Sequence, residues 1–255
     1  MVTGLDKFNS YFKDVSESFI LIGGTACDIL LEKEGLSSRA TKDLDLVVIV
    51  EAVDAEFSNV MWRFVNDGGY KSLEMSSGKR NRYRFYGPKE PDFPYMIELF
   101  SNGMHGDSII PASRITPIPL ENASDLSAIL LDEIYYKLLL EGKQLLGEIY
   151  ILRAEYLILF KMKAFLDLSG RKEKGEAIDS RDIKKHKNDI FRLIQLITPD
   201  TYLKLPVEAQ SDVQSFIDKM RDYPPDLKNL KINLDLAEAL EILSGLFKER
   251  KGLLQ

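Results

Sequence analysis

The chain of 255 residues is long enough for one large domain or two small ones, and its 45% hydrophobic and 29% charged residues are those of an ordinary globular protein. A net charge of -6 excludes a surface built to coat polyanions, while leaving room for a local basic patch. Cys27 is the only cysteine, which excludes an intrachain disulfide and a multi-cysteine metal cluster and fits a reducing, cytoplasmic setting.

No apolar stretch follows a basic N-terminal region, so no secretory signal is expected. An apolar run such as residues 156–160 is too short to span a bilayer, and no membrane association is expected. Leu5, Phe8, Tyr11, Phe12 and Val15 recur at helical spacing and predict an opening amphipathic helix. Residues 19–22 then form a short buried strand, broken by Gly23-Gly24. Thr25 is placed to cap a second helix with Ala26, Ile29 and Leu30 inward, ending near Gly35. Residues 43–50 are the clearest strand. A third helix puts Phe57, Val60, Met61, Phe64 and Val65 inward and stops at Gly68-Gly69.

Between residues 73 and 100 the pattern changes to strands, with 82–86 alternating, 87–94 a loop and 95–100 a strand again. Three prolines reduce residues 108–120 to an edge strand and connector. Residues 127–131, a helical 132–141 and 149–152 close this layer. Beyond Arg153 the signal is helical, over 155–168, 181–197, 207–221 and 234–249, with a loop at 169–175. The expected fold is therefore α/β (α+β): a mixed sheet with flanking helices over 1–152, and an all-helical domain over 153–255.

The period of a strand puts Asp43 and Asp45 on one face and Leu44, Leu46, Val48 and Val50 on the other. Adjacent carboxylates repel, so such a pair calls for a cation, and hard oxygen donors suit magnesium. A lone D-x-D is more often a solvated pair at a strand start. Gly23-Gly24 lies between a strand and a helix, where backbone amides can approach a phosphate, and Thr25 adds a hydroxyl. Glu98 is a single charge inside the apolar run 96–100, so it either meets a ligand or faces solvent or an arginine, Arg82 or Arg84.

The order of these features, Gly23-Gly24-Thr25-Ala26 and then Arg39-Ala40-Thr41-Lys42-Asp43-Leu44-Asp45-Leu46, resembles the nucleotidyltransferase superfamily and, within it, the AbiEii-like toxin branch. The resemblance covers roughly residues 15–197. It implies that Asp43, Asp45 and Glu98 converge on two magnesium ions, with Glu98 also helping to activate the attacking hydroxyl. It further implies that Gly23, Gly24 and Thr25, with Arg39 and Thr41 of the second phrase, hold the phosphates of a nucleoside triphosphate. An NMP would pass to an acceptor hydroxyl as pyrophosphate leaves.

Lys161 sits in a very apolar helix and shares a face with Leu157, Ala164 and Leu168, where it must snorkel, pair or meet a ligand. Lys161-Met-Lys-Ala164 is similar to the branch's K-L-x-A element, which implies a lysine at the nucleotide site. The branch's later K-D-x-x-D-[IL] pattern maps onto Lys185 to Ile190. His186 replaces its first aspartate and Asp189 keeps the second, as a catalytic candidate or as a helix charge paired with Lys185 or Arg192.

Residues 161–192 hold ten Lys or Arg against six Asp or Glu, a plausible footprint for a triphosphate or an RNA backbone and equally a solvated helix face. The expected activity is magnesium-dependent nucleotidyl transfer, by resemblance onto an RNA end, as the toxin partnered by an antitoxin protein. Two alternatives stand beside it. One is transfer to a small hydroxylated antibiotic, for which Asp28, Glu32 and Glu34 are the only nearby acidic residues. The other is a nucleotide-binding or inactive relative that acts through a protein partner.

Overall fold

Short apolar runs flanked by polar or glycine residues become strands, and these build the core of the N-terminal unit. The computed structural model describes residues 3–39, 41–49, 52, 54–72, 82–100 and 132–248. The segments expected at 108–120 and 127–131 lie outside these residues, as does Val50. The chain divides into two compact units, Met1–Arg153 and Ala154–Gln255.

Among the described residues the N-terminal unit carries a seven-stranded mixed sheet: β1 (Phe19–Ile22), β2 (Asp43–Val48), β3 (Lys71–Ser72), β4 (Arg82–Tyr86), β5 (Met96–Phe100), β6 (Lys143–Leu146) and β7 (Ile149–Leu152). Their spatial order is β3-β4-β5-β2-β1-β7-β6. β2 is therefore central, antiparallel to β1 and parallel to β5. β4 runs antiparallel to β5, and β6 and β7 form a hairpin beyond β1. All four residues of β1 are buried, as are Leu44, Leu46 and Val48 of β2.

Helices α1 (Leu5–Phe12), α2 (Gly23–Lys33), α3 (Ala55–Gly68) and α4 (Glu133–Glu141) belong to the same unit. α1 is shorter than its pattern predicts, because residues 13–18 tighten into a 3-10 turn in which Val15 leaves helical geometry at φ -119. Phe8 and Phe12 stack with ring centroids 4.2 Å apart, and the Phe64 ring of α3 meets Phe12 edge-on at 5.3 Å. Such aromatic pairs add about 0.5–1.5 kcal/mol each beyond their buried area. α3 ends as expected at Gly69, left-handed at φ 62. The loop after β4 is pinned to this cluster: Phe93 packs 4.7 Å from Phe64, and the Tyr70 hydroxyl donates to the Pro94 carbonyl.

The second unit is all-helical among the described residues: α5 (Ala154–Glu173), α6 (Ser180–Leu193), a short 3-10 turn at Ile194–Leu196, α7 (Val207–Asp222) and α8 (Leu236–Phe247). The loop expected from Ser169 onward is corrected here, since α5 continues through Glu173 and carries Arg171 and Lys172 in its last turn. Cationic side chains there complement the helix dipole. Phe165, Phe191 and Phe216 meet at its centre, with Phe165 and Phe216 edge-on at 5.3 Å. A mixed sheet with flanking helices, joined to an all-helical C-terminal part, is thus the architecture. Among the described residues no helix is long and apolar enough to cross a membrane.

Candidate functional site

β1 passes straight into α2, and the junction lies against the start of β2. The register sets Asp45 opposite Ile22 on one side and Glu98 on the other, with Arg84 opposite Glu98 in turn. Residues directly opposite across a ladder share a face of the sheet, so Ile22, Asp45, Glu98 and Arg84 form one row. Asp43, two residues before Asp45, lies on the same face opposite Met96. Asp43 and Asp45 are half-buried and Glu98 is 7% exposed. The structure therefore brings all three carboxylates to one face of neighbouring strands.

The glycines are required by contact as well as by conformation. Gly23 has φ +70, and a Cβ there would stand 1.9 Å from Asp45 Oδ2. A Cβ on Gly24 would stand 2.8 Å from Arg39 Nη2 and 3.1 Å from Thr41 Oγ1. The bend thus has the aspartate on one side and the guanidinium and hydroxyl on the other. Thr25 is not the helix cap that its position predicts. Helix α2 begins two residues earlier, and the buried Thr25 hydroxyl donates to the Asp43 carbonyl at 2.6 Å, tying the helix to β2.

Helices α3, α4, α6 and α8 begin on aspartate caps, Asp54, Asp132, Asp179 and Asp235, whose carboxylates accept first-turn amides. α2 begins after Ile22, with no side-chain cap and no acidic residue in its first turn. Such an end carries partial positive charge, and the Asp45 carboxylate stands beside its first residue, Gly23. Asp28 accepts the Thr41 backbone N–H at 3.2 Å and is 3% exposed. That buried role draws Thr41 onto α2 and is ill suited to an acidic pocket for a cationic antibiotic.

Glu98 meets an arginine, the bland alternative for a strand carboxylate. Arg84 Nε donates to Glu98 Oε1 at 2.5 Å, and Nη2 contacts the same oxygen. Among the described residues no group of three or more His, Cys, Asp or Glu side chains is disposed to hold a metal ion. The donor chemistry at Asp43 and Asp45 fits a hard divalent cation. Glu98 does not fit as a third ligand while Arg84 holds it.

Lys161 and Asp189 lie in the helical unit and are paired with each other, Nζ donating to Oδ2 at 2.8 Å, with exposures of 5% and 2%. Arg192 donates to the other carboxylate oxygen at 3.2 Å. Lys185, the other partner considered for Asp189, pairs with Asp182 instead. Much of the basic excess over residues 161–192 is likewise held in local pairs, Arg171 with Glu176 and Arg181 with Asp179 among them. The Arg181 hydrogen bonds hold the Asp179 carboxyl at about 2.

Sequence reasoning placed Arg84 only as one of two arginines for Glu98; alternation over 82–86 marked the strand but not its register. No family model and no curated protein matches the chain. Among solved structures, an antigenic nucleotidyltransferase-like protein from Paracoccidioides brasiliensis aligns with 93% of this chain and 95% of its own, at 15% identity and a TM-score of 0.43. So loose a likeness carries no assignment.

Proposed function

We propose that the N-terminal unit is a nucleotidyltransferase of the AbiEii-like kind, moving an NMP from a nucleoside triphosphate to an acceptor hydroxyl with magnesium. The observation that carries this reading is the placement of the Gly23 bend against the Asp45 carboxylate, with Arg39 across Gly24. A cation-favouring pair and an anion-favouring helix end lie within one side chain of each other. A phosphate that arrives with a divalent cation satisfies both.

The amides of Gly23, Gly24 and Thr25, with Arg39 and Thr41, are assigned to the β- and γ-phosphates. Asp43 and Asp45 would hold magnesium, which when bound supplies positive charge for the phosphoryl oxygens. The acceptor hydroxyl gives up its proton to solvent water as its oxygen attacks the α-phosphorus, the bond to the bridging oxygen breaks, and pyrophosphate leaves from the glycine bend. Glu98 is assigned a supporting place beside Asp45. Lys161 and Asp189 are assigned to holding α5 on α6, because their mutual ion pair accounts for both burials.

The test is transfer of a labelled nucleotide, with magnesium, to bulk tRNA in one arm and to small hydroxylated compounds in the other. Labelled tRNA supports an RNA acceptor, and a labelled small molecule supports the antibiotic-type alternative. No transfer in either arm, by protein that binds triphosphate, refutes the transferase reading. The toxin role is tested by expression: growth arrest with the wild type, lost in Asp45→Asn, and relieved by an antitoxin protein. A second reading, nucleotide binding without transfer, is favoured by the Arg84 contact on Glu98 and predicts binding in the same assay with no labelled product.

A further inference from the structure

We infer that Arg84 is a positioning residue that competes with the divalent cation for Glu98, so that metal capture and release of this arginine are coupled. The inference rests on the metal-binding reading of Asp43 and Asp45 and goes beyond it, since the resemblance assigns Arg84 nothing.

Glu98 and Arg84 are direct neighbours across the β4–β5 ladder, and Glu98 and Asp45 are direct neighbours across β5–β2. One carboxylate therefore stands between an arginine on one side and the aspartate pair on the other. The Glu98 side chain is 9% exposed and that of Arg84 is 30% exposed. A carboxylate so buried needs a positive partner in every state of the site. The guanidinium is the more exposed of the two, on a long stem with a path to solvent.

Two cations beside one carboxylate repel, so a metal drawing on Glu98 is opposed while Arg84 holds it. Glu98 then keeps a positive partner without metal, and the third carboxylate joins the aspartates only when a cation displaces the arginine. This reconciles a strand register that gathers three carboxylates with a side-chain arrangement that does not yet form a cage.

The experiment measures Mn2+ affinity of the full chain, by electron paramagnetic resonance and calorimetry without nucleotide, in wild type, R84M, E98Q and the double variant. R84M is expected to bind Mn2+ about tenfold more tightly. The effect should vanish in the E98Q background, because Arg84 acts through Glu98. A merely structural Arg84 would instead weaken binding when replaced. Should R84M not fold, R84K gives the readout, with a smaller tightening, because an ammonium lacks the guanidinium fork. Wild-type binding that neither substitution tightens, or a tightening that persists in E98Q, overturns the inference alone. No Mn2+ binding by any of the proteins overturns the metal reading and this inference with it.

Discussion

Among the described residues, two clusters of charge are built on opposite plans. In the helical unit, Asp189 is enclosed by Lys161 and Arg192, each charge met by its opposite in a nearly dry setting. In the sheet unit, strand register sets like charges side by side, and Asp43 and Asp45 remain half-buried next to a helix end without a side-chain cap. The first arrangement suits holding helices together, since breaking a buried pair is expensive. On the proposed function, the second gains by admitting a ligand. Residue type alone does not separate the two; exposure does.

The contrast is broken first at Asp45. Asp45→Asn should lower nucleotidyl transfer by about a thousandfold while leaving the thermal midpoint within a few degrees of wild type. A collapse of the fold would show that the aspartate is structural, like its counterpart in the helices. Asp189→Asn should do the reverse, costing about 3 kcal/mol or more in urea unfolding. Joint replacement, Lys161→Met with Asp189→Leu, should recover much of that loss.

A smaller effect sharpens the part played by the glycine bend. Gly23→Ala should destabilise the protein by about 2 kcal/mol and weaken triphosphate binding, because both φ and the Asp45 contact oppose a side chain. Gly35→Ala is the matched comparison, with φ +69 and nothing within 4 Å. It should cost about 1 kcal/mol and leave binding unchanged. Equal effects on binding would remove the bend from the site.

The smallest effect lies in alkali. Burial pushes the Tyr70 hydroxyl above its ordinary value of 10.0, so the folded state favours the protonated form. Its contribution is intact below that value and is lost as pH rises beyond it, because the unfolded chain then releases the proton more readily. The urea midpoint should fall above pH 10.0, and fall less steeply in Tyr70→Phe.

The parts of this design that local pattern controls were legible in the sequence. β1 was a four-residue apolar run, β2 an alternation begun by Asp43, and α3 a helical stripe stopped at Gly69. The contact of Gly23 with Asp45 was implied only by motif order, and its sidedness came from register. Arg84 beside Glu98 was not singled out, because pairing β4 with β5 depends on alignment across a loop. Thr25 was misread as a cap because cap propensity is local, whereas its hydroxyl is committed to a carbonyl 18 residues away. Strand β6 was missed because Lys143-Gln144 hides a run of only four residues, although Gly147-Glu148 is a hairpin signal.

Calorimetric titration with a non-hydrolysable nucleoside triphosphate, with and without Mg2+, addresses the aspartate face most directly when wild type is set beside Asp45→Asn. Binding is expected to strengthen markedly with Mg2+ in the wild type and to lose that enhancement in the variant. Equal affinity in both proteins, indifferent to the metal, would contradict that expectation.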